Sequence, residues 1–378
     1  MHRNKITLVF LASFLISFAY GIILTLPLYL TENLKYNLSF SGKVISLGFA
    51  GVISSFIIIH LMKSKIKSEI LAALGCFIYA FSVFLILSEN STVLLCAGVL
   101  FGMGWGMIYT MGPIIVSELS TDASRSRHFS YISAFNMLGS GIAPAITKQL
   151  INYNIPLTYA FYLACLLSLI AMFLFGFYRL GKVKKSVVTT SSVKIATDIT
   201  TILCLMMVFL GACIFSSMMN FQTLIAGHKG LDFSFFYITY TLAVILSRFT
   251  LASFISRFER KLVICFLLIM MSASVFLFIY IENNIDYIVP SALLGISYGL
   301  VYPLIQAESV SSATTNEERK RILTLFSLFY FVGIYCFPYL YSITISRFGF
   351  QFSFIILSIF ALTEFLFSTG LLITKRKT

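Results

Sequence analysis

The hydrophobic pattern consists of twelve long apolar stretches separated by short polar breaks. Each stretch is long enough for a helix to cross a hydrocarbon core of about 30 Å, which takes about 20 apolar residues. The stretches are continuously apolar and do not alternate, which favours helices over barrel strands. We therefore predict an all-α membrane protein with twelve transmembrane helices, at about 6–30, 40–62, 69–88, 92–117, 129–151, 157–179, 199–226, 234–256, 261–281, 286–311, 322–345 and 351–373.

The charge distribution predicts the orientation in the membrane. The chain has a net charge of +13, from 27 basic and 14 acidic residues. With the N-terminus inside, 21 of the 27 basic residues fall in cytoplasmic segments and five fall outside. Such a bias in short loops follows the positive-inside rule. We therefore expect an integral inner-membrane protein with both termini cytoplasmic. We expect the lipid bilayer to be its partner, and we do not expect it to bind nucleic acid.

The two halves of the sequence repeat a pattern of residues. Coincidence between helices rich in Gly and Phe is the alternative, but one register is held through a loop and a helix. We predict two six-helix halves, 1–179 and 199–378, joined by a cytoplasmic linker at 180–198. The pairs 193 residues apart are Gly102/Gly295, Gly106/Gly299 and Tyr109/Tyr302, and those 194 apart are Arg125/Arg319, Arg127/Arg321, Ser133/Ser327, Phe135/Phe329, Gly139/Gly333 and Pro144/Pro338.

Parallel repeats of six helices joined by a basic linker resemble the major facilitator superfamily. The resemblance implies two pseudo-symmetric bundles with a substrate cavity between them at the bilayer midplane, and alternating access by rocking. The run from Gly139 through Gly141 to Pro144 resembles the Gly-rich helix of the drug and solute exporters, with Ala143 where the family usually has Gly. That motif implies a flexible wall between the halves and favours export. Ordinary helix packing is the alternative.

The resemblance also implies which residues line the cavity, because spans 1, 4, 7 and 10 surround it and spans 2, 5, 8 and 11 lie beside them. Aromatic faces with a few uncharged hydrogen-bonding groups suit an amphiphilic or polyhydroxylated solute better than a bare ion. Core packing or interface anchoring is the alternative for each tyrosine, and the repeated pair Tyr109 and Tyr302 is our first choice. The candidates are Tyr20, Thr25, Trp105, Tyr109, Asn136, Asn220, Gln222, Tyr298, Tyr302 and Gln306.

The segment from Arg248 to Lys261 resembles the cytoplasmic gating motif of the superfamily and includes Arg257, but it lacks the motif's Asp. In the family that acid steadies the outward-open state, so here the latch is expected to be weaker or built otherwise. Glu118 and Glu308 are the candidates to replace it. Their expected partners are Arg125, Arg127, Arg319 and Arg321, unless these charges are only solvated topology signals.

Two ionisable residues, Arg248 and Glu364, remain inside the membrane, away from the ends of the predicted spans, where such groups are usually functional. Arg248 is within reach of the cytoplasmic interface, so it either anchors the helix or binds substrate. Glu364 lies deeper, where a carboxyl group can carry a coupling proton. A neutral, lipid-facing or helix-bound Glu364 is the alternative. The usual proton-coupling residues of spans 1 and 4 are missing.

Other function classes lack their signatures in the sequence. There is no phosphate-binding Gly-x4-Gly-Lys-[Ser/Thr] loop, the four histidines are scattered, and the seven cysteines form no Cys-x-x-Cys pair. We therefore expect no enzyme, no cofactor and no metal site. The first hypothesis is a monomeric transporter that exports a small organic solute by proton antiport. Uptake or facilitated diffusion of a nutrient, and a transporter-like sensor without transport, are the alternatives.

Overall fold

The structure, a computed structural model, describes residues 2–62, 65–176, 198–255 and 257–373, and over these ranges its regular elements are helices. The predicted linker 180–198 lies outside the described residues up to residue 197, as does the side chain of Arg125. The helices are α1 His2–Ile23, α2 Leu26–Leu28, a π-helical turn Tyr29–Asn33, α3 Leu38–Met62, α4 Ser68–Ile86, α5 Ser91–Leu119, α6 Asp122–Asn152, α7 Thr158–Gly176, α8 Ile199–His228, α9 Ser234–Thr250, α10 Ala252–Ile255, α11 Arg260–Leu277, two 3-10 turns Phe278–Tyr280 and Ile285–Tyr287, α12 Ile288–Ser309 and α13 Asn316–Ile373.

Within the described ranges, nine helices are long and apolar enough to cross a membrane by length and composition. Helix α13 counts once among them, although Gly349, at φ 81, divides it into a first segment, 316–348, and a second segment, 350–373. Positive φ is a conformation that glycine adopts without strain. Each of the twelve predicted spans overlaps a helix or, for the last two, a segment of α13. The predicted all-α membrane fold is confirmed.

The contacts divide the chain into two compact units, Met1–Val188 and Thr189–Thr378. In unit 1, α1 packs on α6 and α7, and α5 packs on α3 and α4. In unit 2, α8 packs on α13, and α12 packs on α9 and α11. The two segments of α13 correspond to α6 and α7, so both units use the same packing pattern. The boundaries predicted for the halves stay a prediction, because residues 177–197 are not described.

The repeat extends to single backbone contacts. A Cβ atom on Gly139 would lie 2.6 Å from the carbonyl oxygen of Phe14, and one on Gly333 would lie 2.6 Å from the carbonyl oxygen of Phe209. The glycines are 194 residues apart and the phenylalanines 195. At both places only glycine lets the two helices approach this closely, so the repeated glycines of the sequence mark the same helix contact in each unit.

A second pair of contacts repeats in the same way. A Cβ atom on Gly106 would lie 3.4 Å from the Cα of Val52, and one on Gly299 would lie 3.4 Å from the Cα of Val244. These pairs are 193 and 192 residues apart. The register therefore changes by one residue or so between helices, as expected for loops of slightly different length.

Local hydrogen bonding moves several helix ends away from the predicted positions. Helix α6 begins at Asp122 and not near residue 129, because Thr121 and Ser124 form a reciprocal capping box. Span 1 breaks after Ile23, where the Thr25 hydroxyl donates to the Ile22 carbonyl and Pro27 starts the next short helix. The hydropathy pattern does not show these two helix ends, because polar and proline side chains at the ends of apolar runs determine them.

Candidate functional site

An aromatic stack joins α1 to α5 in unit 1. The rings of Tyr20 and Trp105 lie 4.2 Å apart between centroids at an interplanar angle of 21°. Phe101 also stacks on Tyr20 at 6.1 Å, and the buried Tyr79 of α4 lies 5.4 Å from Phe101. Tyr20 and Trp105 are only half-buried. The structure therefore brings two of the predicted cavity residues into one partly accessible aromatic surface.

Unit 2 has the same stack at the corresponding positions. The rings of Phe215 and Tyr298 are 4.6 Å apart at 8°, and they join α8 to α12. Phe215 lies 195 residues after Tyr20, and Tyr298 lies 193 after Trp105. Phe215 is half-buried, although α8 is otherwise buried from Leu210 to Thr223. The sequence reasoning selected Tyr298 but missed Phe215, whose only signal was its spacing from Tyr20.

The repeated tyrosines Tyr109 and Tyr302 have different surroundings. Tyr302 is half-buried and its ring lies edge-on to Phe326 at 5.3 Å and to Tyr330 at 5.1 Å. Tyr109 is 43% exposed. Gln306 is half-buried one turn after Tyr302. Tyr109 and Tyr302, our first choice for the cavity, therefore differ more in exposure and ring contacts than the two aromatic stacks do.

The polar residues of α8 form a buried group along unit 2. Asn220 Nδ2 donates to the Ser216 carbonyl at 2.8 Å. Three buried atoms of this helix, Ser217 Oγ, Gln222 Oε1 and Thr223 Oγ1, have no protein partner among the described residues. Buried polar atoms are nearly always satisfied. These three oxygen atoms therefore lack the partner that buried polar atoms usually have, such as water or a ligand.

Two predicted cavity residues instead make hydrogen bonds within unit 1. Thr25 is fully buried and its hydroxyl donates to the Ile22 carbonyl at 2.7 Å. Asn136 Oδ1 accepts a bond from Ser17 Oγ at 3.1 Å, which joins α6 to α1. These placements give Thr25 and Asn136 structural partners, which favours a packing role for both.

Arg248 compensates for a proline. Pro303 lies inside α12 and has no N–H, so the carbonyl of Gly299, four residues earlier, has no helical donor. Arg248 Nε donates to that carbonyl at 3.1 Å. Arg248 thus fixes the bend of α12 against α9, which favours the anchoring role over substrate binding.

A second proline is compensated from α8. Pro338 in α13 frees the carbonyl of Ile334, and the hydroxyl of Ser216 donates to that oxygen at 2.5 Å. In unit 1 the corresponding proline is Pro144, and the freed carbonyl of Ser140 faces Gly21. Gly21 lies 195 residues before Ser216. At equivalent positions, the carbonyl freed by the proline therefore meets the hydroxyl of Ser216 in unit 2 and Gly21 in unit 1.

The Gly-rich run of α6 also packs against its own unit. Gly139 faces Phe14 of α1, and a Cβ atom on Gly21 would lie 2.7 Å from the Cβ of Ala143. Gly141 is buried on the same helix. The room that the exporter motif provides through a glycine at position 143 is provided here by Gly21. The close approach that the motif predicts is therefore present, and it is made with α1.

Comparisons with known proteins agree with this architecture. The Major Facilitator Superfamily matches residues 8–316 of the sequence. The chain belongs to the Major Facilitator Superfamily. It is therefore a secondary transporter, not an enzyme, and an integral membrane protein that binds a small-molecule substrate in a lipid bilayer.

Three solved structures share the fold of this chain. A point mutant of the nucleoside transporter NupG has a TM-score of 0.81 and 15% identity, covering 97% of this chain and 99% of its own. NupG itself has a TM-score of 0.78 at 16% identity, covering 98% and 100%. An auto-inhibited peptide transporter of the POT family has a TM-score of 0.76 at 11% identity, covering 99% and 97%. At such identities the similarity concerns the fold alone. No curated protein matches the sequence.

Glu308, one of the two candidates to replace the acid of the gating motif, pairs with Arg260. Glu308 is buried, and its Oε2 lies 3.2 Å from Nη1 of Arg260. Arg260, which opens α11 directly beside the end of α12, was not among the predicted partners of Glu308, and the pairings that we expected for Glu308 stay a prediction. Glu118 is exposed and accepts a bond from Ser68 Oγ at 3.3 Å. Arg127, on the first turns of α6, and Arg257, after α10, are both exposed.

Lys229 ties the end of α8 to the next helix pair, outside the membrane-spanning segments. Its Nζ donates to the carbonyl of Ile281 at 2.7 Å. Partial burial lowers the pKa of Lys229, and the nearby Glu282 opposes that shift. The lysine therefore serves as a connection within unit 2.

Glu364 lies inside unit 2 and not on its lipid-facing side. It is 1% exposed, on the second segment of α13, and its Oε2 has no hydrogen-bond partner among the described residues. A Cβ atom on Gly211 of α8 would lie 3.0 Å from Glu364 Oε1. The carboxyl group thus fills the space that a glycine leaves in the neighbouring helix.

Proposed function

We propose that this transporter moves a small, uncharged organic solute that carries a planar group. The observation that supports this most is the repeated aromatic stack, Tyr20 with Trp105 and Phe215 with Tyr298. Flat π faces favour flat, apolar partners in offset stacks. A bare ion or a short polar metabolite would leave these rings unused.

The polar groups of α8 support a hydrogen-bonding solute. Ser217, Gln222 and Thr223 each present a buried oxygen without a protein partner in the described chain. A solute with hydroxyl or amide groups would satisfy them, whereas a purely apolar one would not. The guanidinium group of Arg248 on α9 already donates to the Gly299 carbonyl, so a negatively charged solute would gain little from it.

For direction we propose export, driven by proton antiport across an inner membrane with both termini cytoplasmic. The resemblance of Gly139, Gly141 and Pro144 to the exporter motif supports export, and the distribution of basic residues supports the orientation. Uptake is the second candidate. It is supported by the fold shared with a nucleoside transporter and a peptide transporter.

Everted membrane vesicles that contain the protein test this proposal with radiolabelled nucleosides and uncharged planar drugs. Accumulation that depends on the pH gradient supports export. Symmetric equilibration supports a facilitator, and binding without flux supports a sensor. If none of the solutes binds or moves, the proposal of a planar substrate is wrong.

Variants of the stacks make the test specific. Stacked aromatic pairs contribute about 0.5–1.5 kcal/mol beyond area burial, and 1.4 kcal/mol corresponds to about a tenfold change in affinity. Trp105→Ala and Phe215→Ala are therefore expected to raise the half-saturating solute concentration by up to about tenfold. Phe266→Ala, which changes a side chain that is 66% exposed on α11, is the matched control and should leave it unchanged.

A further inference from the structure

Glu364 occupies a packing layer that unit 1 fills with apolar side chains. The buried positions of the last helix in each unit align 193 residues apart, and each is no more than 1% exposed: Phe161/Phe354, Ala164/Leu357, Ser168/Ala361, Ala171/Glu364 and Phe175/Ser368. The counterpart of Glu364 is therefore Ala171. The fold itself does not require a carboxyl group at this position.

The residue that faces Glu364, Gly211, is smaller than its counterpart in unit 1. Gly211 of α8 lies 195 residues after Ile16 of α1, in the register that also relates Tyr20 to Phe215. At these positions unit 1 has a large Ile16 on α1 and a small Ala171 on α7, whereas unit 2 packs Gly211 of α8 against a large Glu364. The volumes are exchanged between the two helices, and the one chemical difference is a carboxylic acid in the interior of unit 2.

Among the described residues of unit 2, no counter-charge pairs with the Glu364 carboxylate. A thiol, Cys213 of α8, interacts electrostatically with Glu364, and Cys213 also interacts with Cys336 of the first segment of α13. Helix α11, which also packs on α13, carries the thiol of Cys265. Thiols are weak donors and neutral fillers, so they stabilise a protonated carboxyl better than an ionised one.

The described basic residues of unit 2 lie elsewhere. Lys229, Arg248 and Arg260 bind Ile281, Gly299 and Glu308 respectively. Lys261 lies near Cys204, seven residues before Gly211, which is about 10 Å along a helix. The exposed ones are Arg257, Arg319, Lys320, Arg321 and Arg347. An ionised Glu364 would be a buried, unpaired charge, which proteins avoid by keeping the group neutral.

We propose that Glu364 is a proton-binding site: the carboxyl group is protonated in this conformation and releases its proton in a conformation that admits water to it. Water then reaches the carboxyl group, the O–H bond breaks, its electron pair stays on the carboxylate oxygen, and the proton passes to water. This inference rests on the proposed proton-coupled transport, and it assigns the coupling proton to the last helix.

Infrared difference spectroscopy of the purified protein in lipid vesicles tests the protonation without any solute. The carbonyl stretch of a protonated carboxyl group is expected at neutral pH in the unmodified protein and is expected to be lost in Glu364→Gln. Glu282→Gln, at an exposed position, is the control and should keep the band. If the band is absent from the unmodified protein, or if Glu364→Gln leaves its intensity unchanged, the inference is wrong.

A transplant of the unit 1 layer separates a proton site from a packing role. The double variant Gly211→Ile with Glu364→Ala copies Ile16 and Ala171, so it should keep the thermal stability of the protein and lose the infrared band. A large loss of stability would show that Glu364 is needed for packing, and it would contradict the inference.

Flux measurements complete the test with any planar solute that the everted vesicles accumulate. Glu364→Gln is expected to lose accumulation driven by a pH gradient and to keep solute exchange without a gradient. Unchanged accumulation would overturn the coupling role. If no solute is transported but the band behaves as expected, the proposed function fails while the proton site stands.

Discussion

Replacement of the repeated glycines tests the internal symmetry directly. In Gly139→Ala and Gly333→Ala the new Cβ atom would lie 2.6 Å from a backbone carbonyl oxygen, about 0.8 Å closer than the 3.4 Å at which ordinary contact begins. Because the obstacle is backbone, a helix must move. Overpacking of this kind costs about 1–3 kcal/mol, and alanine returns about 0.5–1 kcal/mol of helix stability. The expected net loss is about 0.5–2 kcal/mol for each variant.

The assay is the thermal midpoint of the purified protein in one detergent. A loss of 1 kcal/mol lowers Tm by about 2–4 °C in domains of 150–250 residues, so each variant should melt several degrees lower, by similar amounts. Gly227→Ala is the matched control, since a Cβ atom on Gly227 meets nothing within 4 Å, and its Tm should stay or rise. If only one of the two glycine variants lost stability, the two contacts would not be equivalent and the reasoning would fail.

The two bonds to proline-freed carbonyls give further predictions. Arg248→Met should destabilise the protein because it leaves the Gly299 carbonyl unpaired, and it should do so less in a Pro303→Ala background, where the helix supplies its own donor. Equal losses in both backgrounds would disprove this role. Ser216→Ala should cost about 1–3 kcal/mol, measured as a lower Tm, because it strands the buried Ile334 carbonyl. An unchanged Tm would show that this bond contributes nothing.

The fold was predictable from the sequence because hydropathy and spacing act over long ranges. A bilayer forces every spanning segment to satisfy its own backbone, so the apolar runs report the helices directly. Gly139 and Gly333 occupy equivalent positions in the repeat because each lies at a helix contact that leaves no room for a side chain. Helix ends were less predictable, since a single capping residue such as Thr121 or a proline such as Pro27 decides them.

The candidate site was only partly predictable. Tyr20 and Trp105 were selected separately, and their contact depends on how α1 and α5 face each other. Phe215 was missed because it is one of 39 phenylalanines, and most of them pack in the core or face lipid. The role of Arg248 also needed the structure, because its partner is a carbonyl freed by a proline on a different helix.

The proposed binding surface can be tested by the fluorescence of the single tryptophan. Trp105 is the only tryptophan of the chain and stacks on Tyr20, so any change in tryptophan emission reports on that stack. We predict that a transported planar solute quenches the emission in a saturable way, and that Tyr20→Ala weakens the apparent affinity. A solute that is transported at the same concentrations without altering the emission of Trp105 would contradict the account.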